Sequence, residues 1–205
     1  MPIFHHTKTH GRFFFIHIPR TAGRFLVENF WLNDYDIEHH LTEERVKTKE
    51  IPNYLWTPAE GVEISHTHCS LYNKWKSIKD LPSIAVVRNP IDRFFSASGR
   101  VDPAFQSSLE NWTDYKKFFS KNKKNNLWRP QHEFISPHTN IWKYEDGFGK
   151  NFYDWINNIL PINFSIKTNV YTTRNYDYAP RLLKTTKLID NVKKFYHRDF
   201  EKFDY

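Results

Sequence analysis

Two arginines, a hydroxyl and a glycine lie together in Arg20-Thr21-Ala22-Gly23-Arg24, directly behind the apolar run 13–18. Backbone N–H groups at a helix start, guanidinium groups and a threonine hydroxyl are all donors suited to a phosphate or a sulfate. Arg88 and Ser96 form a second such group, a planar fork and a hydroxyl. His66 and His68 form a third. Imidazoles titrate near neutral pH and can take a proton from a hydroxyl. The first group is not a Walker loop, because GxxxxGK[ST] is missing. Taken alone, it also fits a plain connection between strand and helix with two surface arginines.

These residues need elements that aim them. The run 13–18 is apolar apart from His17, as in a strand covered on both faces. Pro19 cannot donate to a ladder and ends that strand. The stretch 24–31 predicts a helix with Leu26, Val27, Phe30 and Trp31 on one side. The second group repeats the plan. Residues 84–87 are a short, largely β-branched strand, and Pro90 suits the first turn of a helix. Arg88 then leaves the strand end and Ser96 lies in the helix that follows. A strand–turn–helix unit leaves free N–H groups at the helix start, where the helix dipole favours an anion.

In this order, HIPRTAG and VVRNPIDRFFSA resemble the two cofactor motifs of the sulfotransferases that use 3'-phosphoadenosine-5'-phosphosulfate (PAPS). In that family a PK[ST]xG-like loop after the first strand holds the 5'-phosphosulfate. An RxPxxRxxS-like segment holds the 3'-phosphate through its Arg and its Ser. The resemblance implies a PAPS-binding role for Arg20, Thr21, Ala22, Gly23, Arg24 and Phe25 on one side and Arg88 and Ser96 on the other. The Arg-to-Ser spacing fits. Two positions depart from the pattern. Arg20 stands where the loop usually carries Lys, and Arg24 and Phe25 stand where small hydroxyl residues are usual. In heparan and related uronosyl 2-O-sulfotransferases an HxH segment precedes the RxP motif, and a His in it serves as base. That likeness implies His68 as base, with His66 beside it orienting it or touching the acceptor. The competing account makes both histidines structural. A late loop against the 3'-phosphate and adenine, as in related enzymes, points to Arg174. Two further stretches, IWKYED and the ending DFEKFDY, also resemble the family.

Composition sets the outer bounds. The chain has 205 residues and is expected to be a single domain over 1–205, with 1–11 as a flexible lead-in. Aromatic residues make up 18% of it, far above what a disordered chain carries. A formal charge of +7 and a pI near 9.3 favour anionic partners: a nucleotide, an acidic glycan, a nucleic acid or a membrane surface. No nucleic-acid-binding motif or localised basic stripe is recognised, so a nucleic-acid partner is not expected. Cys69 is the only cysteine, which excludes an internal disulfide and a cysteine-based zinc site. No metal is expected. His5, His6 and His10 read as part of the lead-in rather than as a metal cluster. Neither a signal peptide nor a long apolar span is visible, which predicts a cytoplasmic protein.

The remaining stretches supply scaffold. Residues 33–60 read as a polar loop region with a short helix over 42–49. Residues 62–66 read as a strand, and 109–120 as an amphipathic helix. Lys116, Lys117, Lys121, Lys123 and Lys124 there are a solvated face or a rim for an anionic acceptor. Gln131 and His132 sit in a loop or short helix as substrate-side candidates. Residues 140–144 predict a strand and 145–160 a helix, with Glu145 read as structural. A last helix over 180–196 shows Leu188, Ile189, Val192, Phe195 and Tyr196 as its core stripe.

The sum is an α/β fold: a central, mainly parallel sheet of about four or five strands with helices on both faces. The implied function is sulfuryl transfer from PAPS to an acceptor hydroxyl on a carbohydrate, leaving the product 3'-phosphoadenosine-5'-phosphate (PAP). The alternative is a non-catalytic member of the same fold that binds a nucleotide or an anionic glycan. Arg20 in the usual Lys position is its support. The base assignment yields a direct test. In an extended segment residues i and i+2 face the same way, so His66 and His68 can share one cleft. His68→Ala is expected to keep its melting temperature and cofactor affinity while transfer falls about 10²–10⁴-fold. A variant that loses stability and cofactor binding together makes the two histidines structural. A stable variant at full rate moves the base elsewhere, with His132 next to test.

Overall fold

Aromatic and β-branched residues alternate about the strand axis in the two central strands, and this alternation builds the sheet. In a computed structural model, the structure describes residues 2–40, 78, 80–99, 126–160, 164–167 and 185–205. The strands are β1 (Pro2–His6), β2 (Arg12–Ile16), β3 (Tyr35–His40), β4 (Ser83–Val87) and β5 (Thr139–Lys143), in the spatial order β3-β1-β2-β4-β5. β1 is antiparallel to both neighbours, whereas β2, β4 and β5 run parallel. Among the described residues four strands therefore point one way and β1 alone points back. The expected α/β sheet of about four or five mainly parallel strands is present, as a mixed sheet in which β1 is antiparallel.

Each central strand feeds two cores. Phe14, Ile16, Ala85 and Val87 face one side, with Phe134, Ile135 and Phe203 packed on them. Phe13, Phe15, Ile84 and Val86 face the other. There they meet α1 (Gly23–Leu32) and α3 (Lys150–Ile159). The second core is largely phenylalanine. Phe13 and Phe30 lie 4.9 Å apart edge to face, and Phe30 and Phe164 lie 5.3 Å apart. Such pairs add to area burial because ring edges meet ring faces. A third cluster joins α2 (Pro90–Ser98) to α4 (Thr186–Phe195) through Phe94, Ala97, Leu188 and Val192. The chain ends in α5 (His197–Phe203).

Several expectations need correction. The 1–11 segment is not a loose lead-in: it contains β1, whose Ile3 and Phe4 are wholly buried. Residues 33–60 are not loop throughout, because β3 pairs with β1 at the sheet edge. α3 starts at Lys150 rather than at residue 145. Residues Tyr144–Asp146 form only a short 3-10 turn, and Gly147, at φ 70°, breaks the path. α1 buries Phe25, Leu26, Asn29 and Phe30, while Trp31 is 54% exposed. The predicted strand 62–66, the helices over 42–49 and 109–120 and the residues 180–184 lie outside the described residues. Among the described residues no helix is long and apolar enough to cross a membrane.

Two buried amides, Asn29 in α1 and Asn33 at its C-cap, fasten the segment 164–167. Asn33 accepts from Ser165 N–H at 3.0 Å and donates to its carbonyl at 2.8 Å, and Asn29 accepts from Lys167 N–H at 2.9 Å. This exchange does the work of a strand partner where the sheet offers none. Asn33→Ala leaves the Ser165 N–H and C=O without it. It is expected to cost about 1–3 kcal/mol, or roughly 2–12 °C in melting temperature at this chain length. Thermal unfolding followed by circular dichroism measures it. An unshifted melt would mean that water replaces the amide at no cost.

Candidate active site

The carboxyl ends of β2, β4 and β5 open on one edge of the sheet, where ligands bind in open α/β folds. Three connections meet there: 17–22 after β2, 88–89 after β4 and 144–149 after β5. All of the phosphate-binding candidates that the structure describes lie on the first two connections or in the opening turns of the helices that follow them.

The β2–α1 connection is a strained turn. Arg20 and Ala22 both have φ of 69°, with Thr21, which does not, between them. Left-handed backbone at two residues with side chains costs of order 1–3 kcal/mol each and persists only where surroundings enforce it. Successive residues of opposite φ sign are also the backbone signature of an anion-binding concavity. α1 then begins at Gly23 with Ala22 as N-cap and no side-chain cap, so its first N–H groups face the connection. Gly23 is required by close approach. A Cβ there would lie 1.8 Å from His17 Nε2, and His17 is itself stacked on Phe15.

The side chains divide by direction. Thr21 is 1% exposed and donates its hydroxyl to the Ile18 carbonyl at 2.9 Å. The hydroxyl expected to face an anion instead closes the turn, and only the Thr21 backbone remains for a ligand. Phe25 is likewise buried, packed 5.1 Å from Phe148. Arg24 is exposed. Arg20 turns towards α2: its Nε and Nη2 donate to Ser96 Oγ at 3.0 and 2.8 Å. The two sequence motifs are thus joined by direct contact between Arg20 of one and Ser96 of the other.

Arg88 lies just past β4. Its Nη1 is 3.5 Å from the Arg20 carbonyl, and its guanidinium lies 4.4 Å from the centre of the Tyr144 ring. Stacking on a ring holds the plane of the fork. Its Nε is buried and has no hydrogen-bond partner among the described residues. A buried charged donor without a partner is costly and points to a missing acceptor. Asn89 caps α2 through Ile91 N–H at 3.0 Å. Gln131 and His132 occur in the expected short turn, Gln131–Glu133. Gln131 is fully buried against the Arg88 backbone rather than facing a substrate, and His132 Nδ1 lies 2.7 Å from the buried Asp199 carboxylate.

Sequence reasoning passed over Arg93, the second arginine of the RxPxxRxxS-like segment. It is 1% exposed, and burial pushes its pKa down from the usual arginine value. Arg93 Nε donates to the Pro19 carbonyl at 3.0 Å, and Nη2 reaches the Asn126 and Leu127 carbonyls at 3.4 and 3.2 Å. Its signal was present in the motif, but an arginine reads as surface until the fold buries it. The other sequence candidates, His66, His68 and Arg174, lie outside the described residues, as do the lysines of 116–124. Among the described residues no cluster of His, Cys, Asp or Glu is arranged to hold a metal ion.

An uncapped helix start, a strained concave turn and two arginines thus gather on one edge of a sheet, which is chemistry suited to an anion. Neither a curated protein nor a solved structure matches the chain. A family profile does match, described as the sulfotransferase family, and it covers residues 4–205. That span includes β2 to β5, the last three residues of β1 and both arginine-bearing connections, and so the chain belongs to the sulfotransferase family.

Proposed function

We propose that this sulfotransferase takes its sulfuryl group from PAPS and passes it to a hydroxyl of a carbohydrate. The observation that carries the reading is the convergence at Arg20, Ser96 and Arg88. Residues far apart in sequence meet within 3.0 Å at Arg20 and Ser96, beside an Arg88 Nε that lacks a partner among the described residues. A donor with phosphate at both its 5' and 3' positions fits this set. The α1 start, the turn at residues 20–22 and the Arg20 cation suit the 5' end. Arg88 and Ser96 suit the 3'-phosphate, which would also satisfy the buried Nε. Arg174 is assigned to the same phosphate. The net charge of +7 and the likeness of the HxH segment to uronosyl 2-O-sulfotransferases support an acidic sugar as acceptor.

The chain has three tasks. Its base, assigned to His68 with His66 beside it, takes the acceptor's proton so that the oxygen attacks sulfur in line. Arg20 stabilises the charge that grows on the departing phosphate oxygen. It does so as a hydrogen-bonding cation and not as an acid, because a guanidinium does not give up its proton. Arg88 and Ser96 fix the position of the donor, which keeps the reacting atoms aligned. PAPS, when bound, supplies the sulfuryl group and the phosphate leaving group.

Two measurements test these roles. Calorimetry with PAP is expected to show Arg88→Ala weakening binding tenfold or more, the loss of a charge-assisted contact of about 1.5–3 kcal/mol. Ser96→Ala should lose less. An Arg88→Ala protein that is folded and binds PAP as the parent does removes the assignment. Equal affinity of the parent for PAP and ATP would count against a 3'-phosphate site altogether.

The second measurement is turnover. Arg20→Lys is expected to keep or raise the transfer rate, whereas Arg20→Ala loses it with only a modest loss of PAP affinity. Transfer by Arg20→Ala at the parent rate would show that the cation is not needed. Tight PAP binding with no transfer by either the parent or Arg20→Lys, over a panel of acidic glycans, would favour the non-catalytic alternative.

A further inference from the structure

The Arg88 connection is held from behind, by the last segment of the sequence. Paired β4 ends at Val87, so the Arg88 N–H and C=O have left the ladder. Gln131 stands in for the missing strand. Arg88 N–H donates to its Oε1 at 2.9 Å, and its Nε2 donates to the Arg88 carbonyl at 2.7 Å. Gln131 is fixed in turn by Asp199 on α5, which is wholly buried. The N–H groups of Gln131 and His132 donate to the two Asp199 oxygens at 2.8 and 2.9 Å. An ionised carboxylate only accepts, so His132 adds a third donor from Nδ1 at 2.7 Å.

A second line reaches the next residue. Asn89 N–H donates to Glu145 Oε1 at 2.7 Å, and the Tyr205 hydroxyl donates to Glu145 Oε2 at 2.7 Å. Burial and the bond to Glu145 push the Tyr205 phenol well above its ordinary pKa, so it remains a donor throughout the working pH range. Tyr144, beside Glu145, carries the ring under the Arg88 guanidinium. Backbone and side chain of Arg88 are therefore located by different partners, and the Asp199 and Tyr205 lines both start in 197–205.

We propose that the segment 197–205 positions Arg88 for the 3'-phosphate through two relays, Asp199–Gln131 to the Arg88 backbone and Tyr205–Glu145 to the Asn89 backbone. Asp199 and Tyr205 are positioning residues that set the preference for a 3'-phosphate without touching it. This rests on the reading of Arg88 as the 3'-phosphate residue.

The test is calorimetry of the full chain with PAP and with adenosine 5'-phosphate, which differ only in the 3'-phosphate. Thermal melts run in parallel. The parent is expected to prefer PAP. Tyr205→Phe removes one oxygen from a partly exposed ring. It should keep its melt and its adenosine 5'-phosphate affinity while PAP affinity drops about 3–10-fold, the loss of one hydrogen bond felt at a distance. Asp199→Asn should lower the same ratio. Adding Tyr205→Phe to Arg88→Ala should cost nothing more, because the relay acts only through Arg88. If both single variants keep the parent's ratio, or lose both ligands equally, the relay is overturned while Arg88 keeps its role. If Asp199→Asn does not fold, Tyr205→Phe decides. A parent that binds both nucleotides alike would instead overturn the Arg88 assignment itself.

Discussion

A charged guanidinium sits where no water reaches. Taking an arginine out of water costs several kcal/mol even after relaxation, and only a full set of hydrogen bonds offsets it. Arg93 finds its acceptors in the carbonyls of Pro19, Asn126 and Leu127, none of them on its own helix. The geometry of that bonding dictates much of the site. Arg93 and Ser96 are three apart on α2 and so lie on one face. Arg93 holds Pro19 and Ser96 holds Arg20, adjacent residues of the strained connection. α2 thus grips the β2–α1 turn at consecutive positions, and the turn cannot relax its positive φ angles without giving up a buried charge's partners.

The other constraint is where backbone polar groups go once strands end. Three carboxamides solve it in one way, each giving a donor and an acceptor to the backbone of a single residue. Gln131 serves Arg88, Asn33 serves Ser165, and Asn157 serves Phe164, accepting from its N–H at 2.6 Å and donating to its carbonyl at 3.2 Å. An amide side chain has the same donor and acceptor as a peptide group, so it can replace a missing strand one residue at a time. Each such clasp fixes an irregular segment to a regular element. Of the three, Gln131 alone acts at the carboxyl-end edge, whereas Asn33 and Asn157 fasten 164–165 near the C-terminal ends of α1 and α3.

These particulars separate what could be read in the sequence from what could not. The units β2–α1 and β4–α2 were legible because apolar strand, turn and helix follow one another within short windows. Their arginines and Ser96 were legible because motif spacing survives folding. β1 was not, because its histidines hide the two core residues Ile3 and Phe4 in a polar context. β3 was obscured likewise: its alternation of Tyr35 and Ile37 with Asp36 and Glu38 is short and lies among charges. The backbone-clasping roles of Gln131, Asn29, Asn33 and Asn157 were not legible, and that of Arg93 was marked only by its place in the motif. Their value lies in which backbone they meet, and that is set by tertiary packing, not by local pattern. Thr21 shows the converse, since its residue type suggested a ligand donor and the fold used the hydroxyl to close a turn.

The substitution of arginine for lysine at position 20 has a consequence for Ser96. A hydroxyl has one proton to give and two lone pairs to receive. Arg20 places two N–H groups, Nε and Nη2, on the one oxygen of Ser96. An ammonium, a compact point charge on a flexible stem, has no fixed fork to match this. With both lone pairs turned to the guanidinium, the Ser96 hydroxyl proton is directed away from Arg20, and the adjacent positive charge makes it a stronger donor. Under the proposed function, Arg20 thereby prepares its neighbour to give a hydrogen bond to an anion, in addition to carrying charge itself. Arginine here couples the two arginine-bearing segments through a single oxygen.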